Sequence, residues 1–309
     1  MEIITGTLDF QLNRETAIAI GKFDGLHLGH QRLLQEILLK KQEGLAACVF
    51  TFDPSPAVFF GVADGKELTT KEEKRRLLER MGVDILVEFP MTKESASMEP
   101  VYFVEEVLVK RLKVRFLAAG TDLSFGAKGA GNAELLQKYA PDFGYFVKTI
   151  DKVKIEETEI SSTLVRSQLE AGNMTYVEQL LGMPYTVGGE VLHGKALGRK
   201  LGMPTVNLLP EKEKLLPPKG VYYSKVRYKG KMYDAISNIG CKPTVSQEEC
   251  IGVETYLYDF QEEIYGEKIE VSLLEFKRAE MRFQNVEELK KQMELDIFEG
   301  KKYHLSKIG

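Results

Sequence analysis

The sequence predicts an α/β chain in two parts: a doubly wound parallel sheet first, then an antiparallel β-barrel that carries a C-terminal helix. Three observations carry this expectation. Short apolar runs alternate with helical patterns up to about residue 150, the hydrophobic period then drops to two, and the last segment returns to a helical stripe. A chain of 309 residues is long enough that two cores are expected rather than one. The boundary is placed after Gly182-Met183-Pro184 begins, giving domains 1–182 and 183–309.

The elements follow in order. AIAIG, LAACVFTFDP, DILVEFP and VRFLAAG read as strands, and LGHQRLLQEILLKKQ, KEEKRRLLERMG and VYFVEEVLVKRLK as the helices between them. Ala17 to Ile20 is apolar throughout, as a strand covered on both faces should be. In the first helix Leu34, Ile37, Leu38 and Lys41 recur at three and four, which gives one face that is apolar until charge takes over at its far end. Ser161 and Ser162 open, and Gly172 and Gly182 close, two short capped helices. GVYYSKVRYKGKMYDAIS, VETYLYDF and KIEVSLLEFKR then alternate with period two, with Lys229-Gly230 as a turn. In the last segment Asn285 is a cap, and Val286, Leu289, Met293 and Ile297 share a face that should pack on the barrel. His193, His304 and the KEEKRR run are expected on solvated surface.

Composition excludes several classes. A net charge of −4 supplies no large drive toward nucleic acid or anionic membranes, so neither is an expected partner. Cys48, Cys241 and Cys250 form no CxxC pair, which favours reduced thiols in a cytoplasmic protein over disulfides or zinc. The first residues, MEIITGTLDFQLNRE, lack the basic start of a signal peptide, and no apolar stretch approaches a membrane span.

GKFDGLHLGH, residues 21–30, lies between a buried strand and an amphipathic helix, where a doubly wound sheet meets a phosphate. Gly21, Gly25 and Gly29 let backbone approach a nucleotide, and His27 and His30, at i and i+3, can both donate to one phosphate. Such donors suit nucleotidyl transfer, because charge grows on the α-phosphate as pyrophosphate leaves. Competing motifs fail: GVADGK lacks the length and hydroxyl of a P-loop, and Gly126, Gly129 and Gly131 do not make GxGxxG.

The pattern GxFDGxHxGH resembles the HxGH signature of the Rossmann-like nucleotidyltransferases, and is closest to the FMN adenylyltransferase domain of bifunctional riboflavin kinase/FAD synthetases. By that resemblance Gly21, Phe23, Asp24, Gly25 and Gly29 line the ATP site while His27 and His30 face the triphosphate. GTDLSFGAKGAGN resembles the family's GxDFxFG segment, which implies a flavin pocket at Asp122, Phe125 and Gly126; Leu123 and Gly129 depart from the family's residues there. ISSTLVR resembles ISSTxIR and implies phosphate contacts by Ser161, Ser162, Thr163 and Arg166, although plain helix capping also accounts for the hydroxyls. Asp53 and Pro54, in FTFDPSP, are read as a pocket wall.

GKALGRKLGMPTVNL, residues 194–208, joins glycines to Lys195, Arg199 and Lys200 and then to a hydroxyl and an amide at Thr205 and Asn207. Taken alone, a loop beside a barrel strand is the commoner explanation. The segment resembles the riboflavin kinase signature GRxLGxPTxN, with Val206 in place of the common alanine. That implies phosphate binding by Gly194, Lys195, Gly198 and Arg199, and magnesium ligation by Thr205 and Asn207. The following PPKGVYY, SNIGCKPT and VETYLYDF also match in order, which places the family's catalytic base at Glu254, with Tyr256 where histidine is frequent. EFKR and MRF match its FxRxxxxF region and put Arg278 and Arg282 in the flavin pocket.

The resemblance implies riboflavin phosphorylated to FMN by ATP in the second domain, FMN adenylylated to FAD with release of pyrophosphate in the first, and Mg2+ in both. Three rivals remain: a chain with only the kinase half efficient, a flavin- or nucleotide-responsive regulatory protein, and nucleotidyl transfer to a non-flavin acceptor. The sequence leaves the oligomeric state open.

Overall fold

The computed structural model describes residues 1–194, 197–242 and 250–307. The chain forms two compact units, Met1–Ser162 and Thr163–Gly309.

The main sheet of the first unit has six strands: β1 (Glu2–Thr5), β2 (Thr16–Ile20), β3 (Ala46–Asp53), β4 (Ile85–Pro90), β5 (Val114–Gly120) and β6 (Phe146–Ile150). Every pair is parallel, in the order β1-β4-β3-β2-β5-β6. Helices α1 (Leu28–Leu39), α2 (Lys71–Arg80) and α3 (Ala133–Phe143) accompany them. Alternation along β2 shows why both faces must be covered. Ile18 and Ile20 belong to one core with Phe50, Phe103 and Leu136, whereas Ala17 and Ala19 belong to the other with Leu34, Ile37 and Leu78. The chain runs β2, β3, β4 outward on one side and returns to β5 and β6 on the other. The strand order therefore reverses between β2 and β5, the kind of switch point at which doubly wound sheets bind ligands beyond the strands' carboxyl ends.

Three expectations are corrected here. KEEKRR is no solvated face: Glu73 closes a capping box with Thr70, Lys74 is buried, and Arg75 bonds Glu88, itself 3 % exposed. The helix expected over residues 101–113 widens into a π-helix at Phe103–Arg111, which packs Phe103, Val104, Val107 and Leu108 into the core. His304, expected at the surface, is 4 % exposed, with Nε2 2.9 Å from the Ala235 carbonyl and Nδ1 3.3 Å from the Asp234 carboxylate.

In the second unit, helices α4 (Ser162–Glu170) and α5 (Met174–Leu181) precede a closed barrel. The sequence reading carried the first domain through both helices; here α5 packs against two barrel strands, β7 (Tyr185–Leu192) and β12 (Lys268–Ala279). The remaining strands are β8 (Val206–Leu208), β9 (Gly220–Tyr228), β10 (Lys231–Lys242), β11 (Cys250–Leu257) and β12 (Lys268–Ala279). Their order is β7-β8-β11-β10-β9-β12, antiparallel throughout, which leaves no free edge. Lys229 and Gly230 both hold positive φ, the geometry of a tight hairpin turn between β9 and β10. Asn285 caps α6 (Val286–Ser306) by accepting from the Glu288 amide at 2.9 Å. The buried stripe of α6 is Asp296, Gly300 and His304; Leu289, Met293 and Ile297 are only half-buried and wall a cavity, with Ile297 also packed on Val221, Ile236 and Tyr258.

Candidate active sites

The first site grows from the end of β2. Within the turn that follows, Phe23, Gly25 and Leu26 all hold positive φ, although Phe23 and Leu26 are fully buried and carry side chains. Such backbone costs about 1–3 kcal/mol per residue and persists only where the surroundings enforce it. The enforcing contacts are visible. Asp24 Oδ1 accepts from the amides of Leu68 (2.8 Å) and Thr69 (3.3 Å), Thr69 Oγ1 accepts from the Gly25 amide (2.8 Å), and Ser162 Oγ donates to the Asp24 carbonyl (3.0 Å). Asp24 and Ser162 therefore shape the turn. Gly21 and Gly29 lie against rings: an added Cβ would meet Phe23 at 3.3 Å and His27 at 3.1 Å.

His27 is the N-cap of α1, and its Nδ1 accepts from the His30 amide at 3.4 Å. That contact leaves Nε2 as the protonated nitrogen of a neutral ring. The two imidazoles stack with centroids 3.7 Å apart, and Phe23 lies 5.1 Å from His30. Burial lowers the His27 pKa to about 4, against a smaller upward pull from Asp24 and Asp122. Burial, then the charge of His27 and Lys74, holds His30 well below its ordinary value. His30 Nδ1 is buried with no hydrogen-bond partner, at a helix start where an anion is favoured. The site thus presents two neutral rings over unused N-terminal space of a helix.

The remaining sequence-predicted residues divide. Asp122, beyond the end of β5, is exposed and close enough for its charge to act on His27. Phe125 is buried in the core against Phe103, 5.4 Å away, and Gly126 abuts Pro100. Leu123 packs on that core too. Ser161 and Ser162 end the first unit, whereas Thr163 and Arg166 lie on α4 in the second. Asp53 is paired with Lys71 at 2.6 Å.

The second site is centred on β8 and β11. Asn207 stands opposite Glu254 in register, and Thr205 Oγ1 donates to Glu254 Oε1 at 2.6 Å. Gly198 is required by close approach: a Cβ would lie 2.4 Å from the Met203 carbonyl oxygen and 3.1 Å from Thr205 Oγ1. A Cβ on Gly194 would meet Asn207 Nδ2 at 2.2 Å. Arg199 is exposed and pairs with Glu263 (2.8 Å); Lys195 lies outside the described residues. Thr205 borders two cavities. One, of about 330 Å³, is lined by Gly198, Thr205, Glu254, Tyr256, Arg278 and the apolar residues of α6. The other, of about 360 Å³, runs from Arg199 and Thr205 to the Phe260–Tyr265 turn. Arg278 lies on the wall of the first, while Arg282 is exposed.

Sequence reasoning passed over the 260–265 turn and Asp296. Phe260 and Tyr265 in a polar, acidic turn were the available signal, and His193 stacks on Tyr265 at 3.9 Å. Asp296, a carboxylate next to the apolar face of α6, was the other.

Residues 9–164 match the family model for FAD synthetase and residues 181–304 that for riboflavin kinase. A bifunctional riboflavin kinase/FMN adenylyltransferase of Listeria monocytogenes is 37 % identical over 293 residues, covering 94 % of this chain and 93 % of the relative. The protein of that name from Escherichia coli is 35 % identical, covering 93 % and 92 %. A crystal structure from Streptococcus pneumoniae, titled a macrolide-efflux protein, superposes with a TM-score of 0.83 at 30 % identity over 95 % of this chain and 96 % of that one. Among the described residues no helix is long and apolar enough to cross a membrane.

Proposed function

The chain belongs to the bifunctional riboflavin kinase/FMN adenylyltransferase family, and from that premise we propose how its residues perform the two reactions. The enzyme phosphorylates riboflavin to FMN and adenylylates FMN to FAD, with ATP as the donor in both steps.

One observation carries the assignment of the kinase site: the Thr205–Glu254 pair stands where two cavities of substrate size meet. Riboflavin occupies the cavity walled by α6, whose apolar residues suit a flat ring system, and ATP the cavity at the 260–265 turn. The ribityl 5′-hydroxyl then reaches Glu254. The carboxylate accepts that proton as the oxygen attacks the γ-phosphorus and the bond to ADP breaks. The hydroxyl of Thr205, held 2.6 Å from Glu254, marks where a hydroxyl can donate to this carboxylate.

The donor set fits magnesium. Thr205 bonds Glu254, and Asn207 stands opposite Glu254 in register, so a hydroxyl, an amide and a carboxylate, all able to offer hard oxygen donors, occupy neighbouring positions. Thr205 and Asn207 would hold the ion, which when bound offsets charge on the phosphates. Gly194, Gly198 and Arg199 form the phosphate-side loop.

In the first unit, the crevice between β2 and β5 takes ATP and FMN. His27 Nε2 and His30, neutral before the substrate arrives, donate to phosphate oxygens as charge develops on them, and the amides at the start of α1 add to that field. Gly21, Phe23, Asp24, Gly25 and Gly29 form the turn that sets this geometry. Asp122 stands at the acceptor side. Phe125 and Gly126 support that side from the core, and Ser161 and Ser162 continue the anion site. We place the enzyme in the cytoplasm.

The test is incubation of purified protein with riboflavin and Mg-ATP, with FMN and FAD resolved over time and FMN supplied separately. FMN followed by FAD is expected. FMN alone would remove the adenylyltransferase assignment, and neither product would overturn both.

A further inference from the structure

Two consecutive residues of β12, Lys277 and Arg278, both bond to one carboxylate, Asp296 of α6. Successive side chains of a regular strand point to opposite faces, so a single carboxylate does not ordinarily collect both. The strand is irregular here. Tyr222 pairs with Phe276 and Val221 with Arg278, so Lys277 is skipped as a bulge residue. A bulge re-aims a side chain, and this one turns Lys277 toward the same side as its neighbour.

The cluster is buried. Side-chain exposure is 7 % for Asp296, 9 % for Lys277 and 22 % for Arg278. Arg278 Nε lies 3.1 and 3.2 Å from the two carboxylate oxygens, Nη2 bonds Oδ2, and Nη1 donates to the Ala279 carbonyl at 2.9 Å. Gln292 donates to Asp296 at 3.0 Å, and Glu299 balances Lys277 at 2.6 Å. Burial pushes the Asp296 carboxyl up, but the bonds from Arg278, Lys277 and Gln292 outweigh it and hold the group below its ordinary value. Buried ion pairs contribute little net stability, because desolvation offsets the attraction. Fixed geometry is what this one supplies: the guanidinium plane cannot turn without breaking bonds to both oxygens.

Arg278 and Asp296 both line the cavity assigned above to riboflavin, beside Met293 and Ile297 of the same helix. We infer that Asp296 is a positioning residue for the kinase reaction: it holds the Arg278 guanidinium so that its remaining N–H groups meet an acceptor of the bound flavin. It also ties the helix that carries Met293 and Ile297 to the strand that carries Arg278. The inference rests on the assignment of that cavity to riboflavin.

The test is a double-mutant cycle in the full chain, reading riboflavin KM and kcat at saturating Mg-ATP for Arg278→Ala, Asp296→Asn and the double variant. Each single change is expected to raise KM about tenfold or more with kcat within about threefold, and the double to match Arg278→Ala within about twofold. Asp296→Glu should recover part of the loss. Effects that multiply in the double variant, or an unchanged KM in Asp296→Asn alone, would overturn the positioning role. An unchanged KM in Arg278→Ala would instead remove the cavity assignment on which it stands. If Asp296→Asn does not fold, Lys277→Met decides, since it leaves the Arg278–Asp296 pair in place. Its KM should stay within about twofold of wild type, and a rise of about tenfold would show that KM follows the integrity of the cluster rather than the aim of Arg278.

Discussion

Substituting His27 by Gln should change how the first unit's stability depends on pH. His27 is neutral in the fold, with a pKa lowered to about 4 by burial, while the unfolded chain protonates it near 6.5. Between those values only the unfolded state takes up the proton. Stability is therefore fully present above 6.5 and is lost as pH falls toward 4, below which both states are protonated. Linkage gives a loss of about 2 kcal/mol at pH 5, rising to about 3 kcal/mol at pH 4. Glutamine does not titrate, so the stability difference between wild type and His27→Gln should shrink by about 2 kcal/mol from about pH 7.5 to 5. The offset lost with the cap and the stacked ring is common to both pH values and cancels. Hydrogen exchange of peptides spanning residues 16–39, followed across urea, reads this unit without interference from the barrel. A difference constant within about 0.5 kcal/mol between the two pH values would refute a neutral, buried His27.

Three further outcomes are expected. Glu254→Gln should lower FMN formation from riboflavin by about 10²–10⁴-fold, with adenylylation of supplied FMN within about twofold of wild type; equal loss of both products would remove the base assignment. Gly198→Ala should cut kinase kcat/KM at least about tenfold, because its methyl would lie 2.4 Å from the Met203 oxygen and press on Thr205, and wild-type kinetics would show that the loop gives way freely. Asp24→Ala leaves the Leu68 and Thr69 amides without their acceptor and should destabilise the first unit by about 1–3 kcal/mol in urea melts, a neutral result placing the side chain's role in substrate contact alone.

Much of the architecture was legible because periodicity reports burial directly. AIAIG announced a strand covered on both sides, and the structure divides its residues between two cores. Lys229-Gly230 announced a hairpin turn, and Asn285 a cap. Motif spacing also put His27 and His30 on one face, and their rings stack; Thr205 and Glu254 came separately from the family resemblance, and their bond to each other is seen only in the structure. What was not legible was the destination of charged groups. His304 reads as surface because histidine is polar, yet an acceptor on each side of the ring makes it a clasp between α6 and β10. KEEKRR reads as a solvated run because no pattern within it shows that Glu88, on the strand that follows, waits for Arg75. Partners across the fold decide such cases, and a one-dimensional pattern carries no record of them.

The same reasoning separates residues that make the sites from those that hold them. In the first turn the resemblance gave Asp24 to the ATP site, but its carboxylate is occupied by two backbone amides, and its carbonyl by Ser162. Those bonds hold Phe23 and Leu26 at positive φ, and the strained turn in turn delivers His27 to the cap position beside His30, whose Nδ1 is buried without a partner. On the proposed assignment, Asp24 acts through the turn that carries the histidines. Its loss should appear first as a looser turn and only through that as slower adenylyl transfer. At the second site the order is inverted: Thr205 and Glu254 bond each other at the cavity wall, and their loss should reach turnover without passing through the fold. A variant pair, Asp24→Asn against Thr205→Val, makes the distinction measurable. The first should lower stability and adenylyl transfer together, while the second should lower kinase kcat with the unfolding midpoint moved by less than about 1 kcal/mol. Equal stability losses in the two would mean that both sites are held by their own reacting groups, and that the turn's strain has no separate support.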